Sequence, residues 1–195
     1  MGAMTIFPVI LPVAETGQRL SGKEKVARLS RISREALELS AQKSGIVLKE
    51  LLKNEDDVPR PSDGNYSSLS HKPKYVAAVV SRDKVGIDIE EINPRSQSIF
   101  SLVASDSEWE LSEDRSWRTF FRYWTAKEAT LKAVGVGISG LGACKLVSIP
   151  DMKHMVLNYR SCLFLIEQLI YKNHIISVLK NSNTVEWYCL DGALY

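Results

Sequence analysis

The apolar positions of this chain follow two different periods. Between Ser21 and Gly45 they fall at Val26, Leu29, Ile32, Ala36 and Leu37. That spacing predicts a helix, opened by the Ser21/Glu24 capping box and ending near Ser44–Gly45. "IVLKELLKN", residues 46–54, predicts a second, shorter helix. "FPVILPV" near the start predicts a short strand interrupted by Pro8 and Pro12. "NEDDVPRPSDGN" is dense in turn formers and predicts a loop. Beyond it the pattern changes to alternation: "YSSLS", "YVAAVVS" and "KVGIDIE" predict three strands, the last two joined by a tight "RDK" turn.

The second half opens with a proline-containing loop and a helical patch, "DSEWELSE". "SWRTFFRYWTAKEATLKAVG" then predicts the clearest helix of the chain. Ser116 caps it, Phe120, Phe121, Trp124 and Leu131 give it apolar faces, and Gly135 stops it. "GVGISGLG" reads as a loop. "CKLVSI", "MVLNY", "CLFLIEQ", "HIISVLK" and "VEWYCL" read as successive short strands. Each half is thus helix plus antiparallel strands, an α+β arrangement.

Length and charge narrow the function classes. A chain of 195 residues can bury a core as one domain or two small lobes. A net charge of +2 suits an acidic ligand but falls far short of a nucleic-acid binder's basic patch. No apolar run reaches membrane-spanning length, and no basic stretch precedes the apolar start, so neither a membrane span nor a secretory leader is expected. Cys144, Cys162 and Cys189 are odd in number and lack metal-ligand spacing, which predicts reduced thiols in a cytoplasmic protein.

Candidate chemistry concentrates in two places. In "VGIDIEEI", Asp88 and Glu90 are two residues apart and project from one face of a strand. Like charges side by side on a half-buried strand repel unless something neutralises them. Acids on an exposed edge that deter aggregation are the bland explanation. The β-branched neighbours instead predict a central, buried strand. In "WTAKEATLKAVG", Glu128 and Lys132 stand at i and i+4, with Trp124 one turn earlier. Alone, that is an ordinary surface ion pair beside a core tryptophan. With Asp88 and Glu90, however, Glu128 completes an oxygen-rich set of the kind Mg²⁺ takes alongside water and phosphate. In "SLSHK", Ser70, His71 and Lys72 offer a hydroxyl, an imidazole and an ammonium to phosphate oxygens. His154 and His174 show no acidic partner nearby and receive no role. There is no Gly-x-Ser-x-Gly or Cys-x-x-Cys, and "GVGISGLG" lacks the Walker lysine.

Taken in order, "SLSH", "VGIDIE" and "WTAKEATLK" resemble the 4′-phosphopantetheinyl transferase superfamily, and its Sfp type more than its short holo-acyl-carrier-protein synthase type. The resemblance implies two pseudo-symmetric lobes, each a small antiparallel sheet packed with a long helix. Residues 1–84 would carry the Ser-His segment, and residues 85–195 the metal-binding strand and the Lys-Glu helix, in a chain that works as a monomer. It implies Mg²⁺, or Mn²⁺ in its place, on Asp88, Glu90 and Glu128, and coenzyme A as co-substrate. Lys132 would contact the pyrophosphate, Lys127 would add positive potential near the phosphates, and Ser70 and His71 would hold the nucleotide end. Lys72 stands where a serine is usual and would either add a phosphate contact or face solvent. Arg60 stands in for a basic residue that usually precedes the Ser-His pair. The implied reaction moves phosphopantetheine from coenzyme A to a serine of an apo acyl or peptidyl carrier protein and releases 3′,5′-ADP. Glu128 is the candidate base. The alternatives are a Mg²⁺-dependent phosphohydrolase acting on coenzyme A-like pyrophosphates, and a non-catalytic module that binds coenzyme A or a carrier.

Overall fold

A computed structural model describes residues 2–14, 21–49 and 61–190. Its elements in chain order are β1 (Thr5–Ile6), β2 (Val9–Pro12), α1 (Gly22–Lys43), β3 (Tyr66–His71), β4 (Tyr75–Ser81), β5 (Ile87–Glu91), α2 (Phe100–Val103), α3 (Asp106–Trp109), α4 (Trp117–Val134), β6 (Lys145–Ser148), β7 (His154–Tyr159), β8 (Cys162–Tyr171), β9 (His174–Leu179), β10 (Thr184–Val185) and β11 (Tyr188–Cys189). The fold class is α+β. The chain divides into two compact units, one running to Lys84 and resuming at Asn183, the other spanning Val85–Ser182.

In the first unit, α1 starts and stops as its local sequence dictates. The Ser21 hydroxyl accepts from the Glu24 amide, and the Glu24 carboxylate accepts from the Ser21 amide. At the other end Gly45 takes a left-handed φ of 61°, its amide donates to Gln42 O, and the Ile46 amide reaches back 2.9 Å to Ala41 O. This Schellman closure turns the chain and buries Ile46. Residues 46–49 are therefore not helical, contrary to the second helix expected there; the rest of that segment lies outside the described residues.

α1 lays Ile32, Ala36, Leu37 and Ala41 against Val9, Leu11, Val76, Ala78 and Val80. The buried Ser40 hydroxyl pins this packing by donating 2.7 Å to Phe7 O and accepting 2.9 Å from the Val80 amide. The sheet beneath runs β11-β2-β4-β3, antiparallel except for the β11–β2 pair. "VEWYCL" was expected to be one strand of the second half. It forms two short pieces instead, β10 parallel to β1 and β11 parallel to β2, which return to the first unit.

The second unit is a five-stranded antiparallel sheet ordered β5-β9-β8-β7-β6. Its hairpins turn at Arg160–Ser161 and Lys172–Asn173, all four with positive φ, the geometry that tight hairpins need. α4 is capped by Ser116 and closed by left-handed Gly135, and it packs on β5, β9 and β8. Phe120, Phe121, Tyr123, Ala126, Ala129 and Leu131 join Met155, Leu157, Ile166 and Ile175 in the core. Part of the predicted "GVGISGLG" loop winds into a short 3₁₀ turn, Ile138–Ala143. Among the described residues no helix is long and apolar enough to cross a membrane.

Candidate active site

Strand β5 shows the alternation its sequence requires. Ile87 and Ile89 are fully buried on one face, while Asp88 and Glu90, 4% and 9% exposed, share the other. Although deeply buried, β5 ends its sheet's strand order rather than standing at the centre as expected. The alternation reported burial and said nothing of neighbours.

The acids' face is the one toward α4. Asp88 lies opposite Ser177 and Glu90 opposite Ile175. The Ser177 hydroxyl is 2.7 Å from that of Thr125 on α4, and Ile175 packs into the core that α4 fills. Thr125, Glu128 and Lys132 stand at i, i+3 and i+7, one stripe of the helix. The same stripe that reaches Ser177 through Thr125 reaches Asp88 through Lys132. The Lys132 ammonium donates 2.8 Å to Asp88 Oδ1 and 3.1 Å to Ile87 O. The neutraliser beside Asp88 is therefore an ammonium from the helix. Glu128, half-buried, lies on that stripe between the two contacts.

A glycine makes this approach close. A Cβ built on Gly86 would stand 1.9 Å from Ala129 O and 2.8 Å from Ala133 N, both backbone atoms of α4. Ala129 and Ala133 directly follow Glu128 and Lys132, so the glycine sets how near α4, with Glu128 and Lys132, comes to β5, with Asp88 and Glu90. Reading the motif for charge alone overlooked Gly86; an isolated glycine beside a strand is the local signal for such an approach.

Asp88, Glu90 and Glu128 are hard oxygen donors, the type a small divalent cation prefers, and Mg²⁺ needs only one or two of them beside water and phosphate. The donor chemistry therefore fits Mg²⁺ or Mn²⁺. Among the described residues, no group of three or more His, Cys, Asp or Glu side chains stands ready-made to hold a metal.

Lys127 is not where a phosphate-facing lysine was expected. Its ammonium is buried 2.6 Å from Glu108 Oε1, with the two side chains 2% and 4% exposed. Burial pushes the Lys127 amine below its usual range against the opposing pull of Glu108. Burial would raise the Glu108 carboxyl, but hydrogen bonds from Lys127, Ser105 and Leu146 outweigh it and hold the group below the usual carboxylate range. Glu108 was missed because its partner lies 19 residues away.

Ser70, His71 and Lys72 belong to the first unit. Ser70 is buried opposite Ala77 on β3, His71 is exposed at the strand's end opposite Val76, and half-buried Lys72 follows in the turn into β4. Arg60 lies outside the described residues. His154, given no partner by sequence, has two: its Nδ1 lies 2.8 Å from Asp151 Oδ2 and its Nε2 3.3 Å from Glu167 Oε2. Asp151, three residues earlier, was legible and overlooked.

The family model of the 4′-phosphopantetheinyl transferase superfamily matches residues 84–179, the stretch that holds Asp88, Glu90, Glu128 and Lys132. The chain is 34% identical over 90 residues to the 4′-phosphopantetheinyl transferase HetI of Nostoc sp., covering 43% of this chain and 38% of that protein. It is 38% identical to the 4′-phosphopantetheinyl transferase psf-1 of Bacillus pumilus, covering 44% and 39% respectively. With the 4′-phosphopantetheinyl transferase AcpT of Escherichia coli K12 it shares 30% identity over 124 residues, 59% of this chain and 61% of the relative. The chain thus spans about two fifths of the length of the first two relatives it matches. By the matched family model and these relatives, the stretch 84–179 is similar throughout to the 4′-phosphopantetheinyl transferase superfamily.

Proposed function

We propose that the chain transfers 4′-phosphopantetheine from coenzyme A to a serine of an apo acyl or peptidyl carrier protein. The observation that carries this reading is the buried acid pair Asp88/Glu90 facing a helix whose Lys132 ammonium already touches Asp88. With a divalent cation on its acids, such an arrangement would suit a polyanionic pyrophosphate, which the bare carboxylates alone would repel. Asp88, Glu90 and Glu128 would hold Mg²⁺, or Mn²⁺ in its place, which would supply counter-charge to the phosphoryl oxygens. Lys132 donates to the same oxygens and offsets the charge that develops on the leaving group. The carrier's serine oxygen forms a bond to the β-phosphorus. The bond from that phosphorus to the bridging oxygen breaks, and 3′,5′-ADP departs with the electron pair. Glu128, directly or through one water, takes the serine proton.

Ser70, His71, Lys72 and Arg60 are proposed contacts for the nucleotide end. Lys127 is not carried into the reading, since its ammonium is buried on Glu108. A cytoplasmic monomer built from two repeats of one helix-and-sheet plan completes the proposal.

The test is to incubate the protein with coenzyme A, Mg²⁺ and a panel of apo acyl and peptidyl carriers and to follow carrier mass and 3′,5′-ADP together. Phosphopantetheine on the carrier serine, with ADP released in equal amount, supports transfer. ADP released without any carrier points to the phosphohydrolase alternative, and coenzyme A bound with neither product points to a binding module.

A further inference from the structure

The buried ion pair Glu108–Lys127 takes no part in the chemistry just described, yet it is built with care. Glu108 Oε1 accepts from Lys127 Nζ at 2.6 Å and from the Leu146 amide at 2.8 Å. Its Oε2 accepts from the Ser105 amide and hydroxyl, both at 2.9 Å. The carbonyl of the same residue accepts from the Tyr123 hydroxyl at 3.1 Å. One residue thus joins α3 and β6 to two points of α4, Tyr123 and Lys127, one turn apart on the same face.

Stability is a weak explanation for such a pair. Replacing a buried ion pair with apolar residues of similar volume is often neutral or stabilising, because desolvation offsets the attraction. What a hydrogen-bonded pair adds is a fixed register. Lys127 and Glu128 are consecutive, so clamping the first fixes the direction of the second. On a helix of roughly 5–6 Å radius, a rotation of about 10° moves a side-chain tip by roughly 1 Å. A misplacement of about 1 Å at a reacting centre can cost on the order of 100-fold in rate.

We propose that Glu108 and Lys127 are positioning residues: their buried pair locks the rotation of α4 so that Glu128 and Lys132 meet Asp88 and Glu90 in reacting geometry. The inference rests on the transferase reading. It is tested with Glu108→Asp, which keeps the charge but draws the carboxylate back by one methylene, with the neutral pair Glu108→Gln/Lys127→Met, and with Lys127→Arg. Each is measured for thermal unfolding, kcat, and KM for coenzyme A. The expected result is a cooperative fold in which Glu108→Asp and the neutral pair lose at least tenfold in kcat, with KM within twofold of wild type. Lys127→Arg, which restores a donor to Glu108, recovers most of the rate. Should the neutral pair fail to fold, Glu108→Asp alone decides. A kcat within twofold of wild type in the folded variants overturns the positioning role and leaves the transferase reading intact. A wild-type protein that modifies no carrier overturns both.

Discussion

Replacing Gly86 with alanine adds a single methyl group where the structure has no room for one. The new Cβ would lie 1.9 Å from Ala129 O and 2.8 Å from Ala133 N, below the 3.0 Å that real Cβ contacts respect. Both atoms are helix backbone, so no side chain can rotate aside. Relief from 1.9 Å to 3.0 Å requires α4 and the start of β5 to separate by at least about 1.1 Å. Overpacking of this kind costs about 3 kcal/mol. In a chain of this size that corresponds to a Tm lower by about 6–12 °C. The displacement falls between Asp88 and the helix residues Glu128 and Lys132, so transfer to a carrier should drop by roughly 100-fold even in the fraction that stays folded. Far-UV circular dichroism melts and carrier modification at a temperature well below the transition measure the two effects separately. Gly140→Ala serves as the control, because its nearest obstacle, at 2.7 Å, is the flexible end of Leu131; a milder loss of stability and near-normal transfer are expected there. A Gly86→Ala protein that melts within 2 °C of wild type and transfers within threefold of it would refute the close-approach argument.

Three further outcomes follow from local features. Cys162 is exposed, whereas burial pushes the Cys144 thiol up to about 11; a chromogenic disulfide at pH 8 should therefore react quickly with Cys162 and slowly with Cys144. Arg160 and Ser161 hold φ of 49° and 64° in the β7–β8 turn, so Asn-Gly in their place should raise stability by about 1 kcal/mol in urea unfolding, with transfer unchanged. Glu108's folded carboxyl is depressed, so its stabilisation is complete above the unfolded value near 4.5 and is lost as pH falls through the lower folded value. Unfolding midpoints of wild type should thus fall below pH 4.5 more steeply than those of Glu108→Gln.

Local rules carried far in this sequence where the deciding partner lay within a few residues. Ser21 and Glu24 announce the start of α1, Ser116 and Gly135 bound α4, and the spacing of Asp88 and Glu90 puts both acids on one face. What escaped depends on distant partners. β10 and β11 pair with strands near the chain's start, so their two-residue pieces look like one continuous strand in isolation. Lys127 stands beside Glu128 in a motif rich in charge, and only tertiary packing shows that it turns inward to Glu108. Residues 46–49, expected to open a short helix, are not helical because the Schellman closure redirects the chain at Ile46, a geometric consequence that helical periodicity does not register.

The central claim is that the Asp88–Glu90 wall, met by Lys132 from α4, is where phosphopantetheine is transferred. A single-turnover measurement with Asp88→Asn tests it most directly, using coenzyme A, Mg²⁺ and an apo carrier that the wild type modifies. The asparagine keeps the shape of a buried side chain and its contact with Lys132 while removing the charge. Transfer slowed by about 1,000-fold or more, in a protein that melts like wild type, is the predicted result, since electrostatic stabilisation at such a site supplies several kcal/mol. Transfer within tenfold of wild type would contradict the claim.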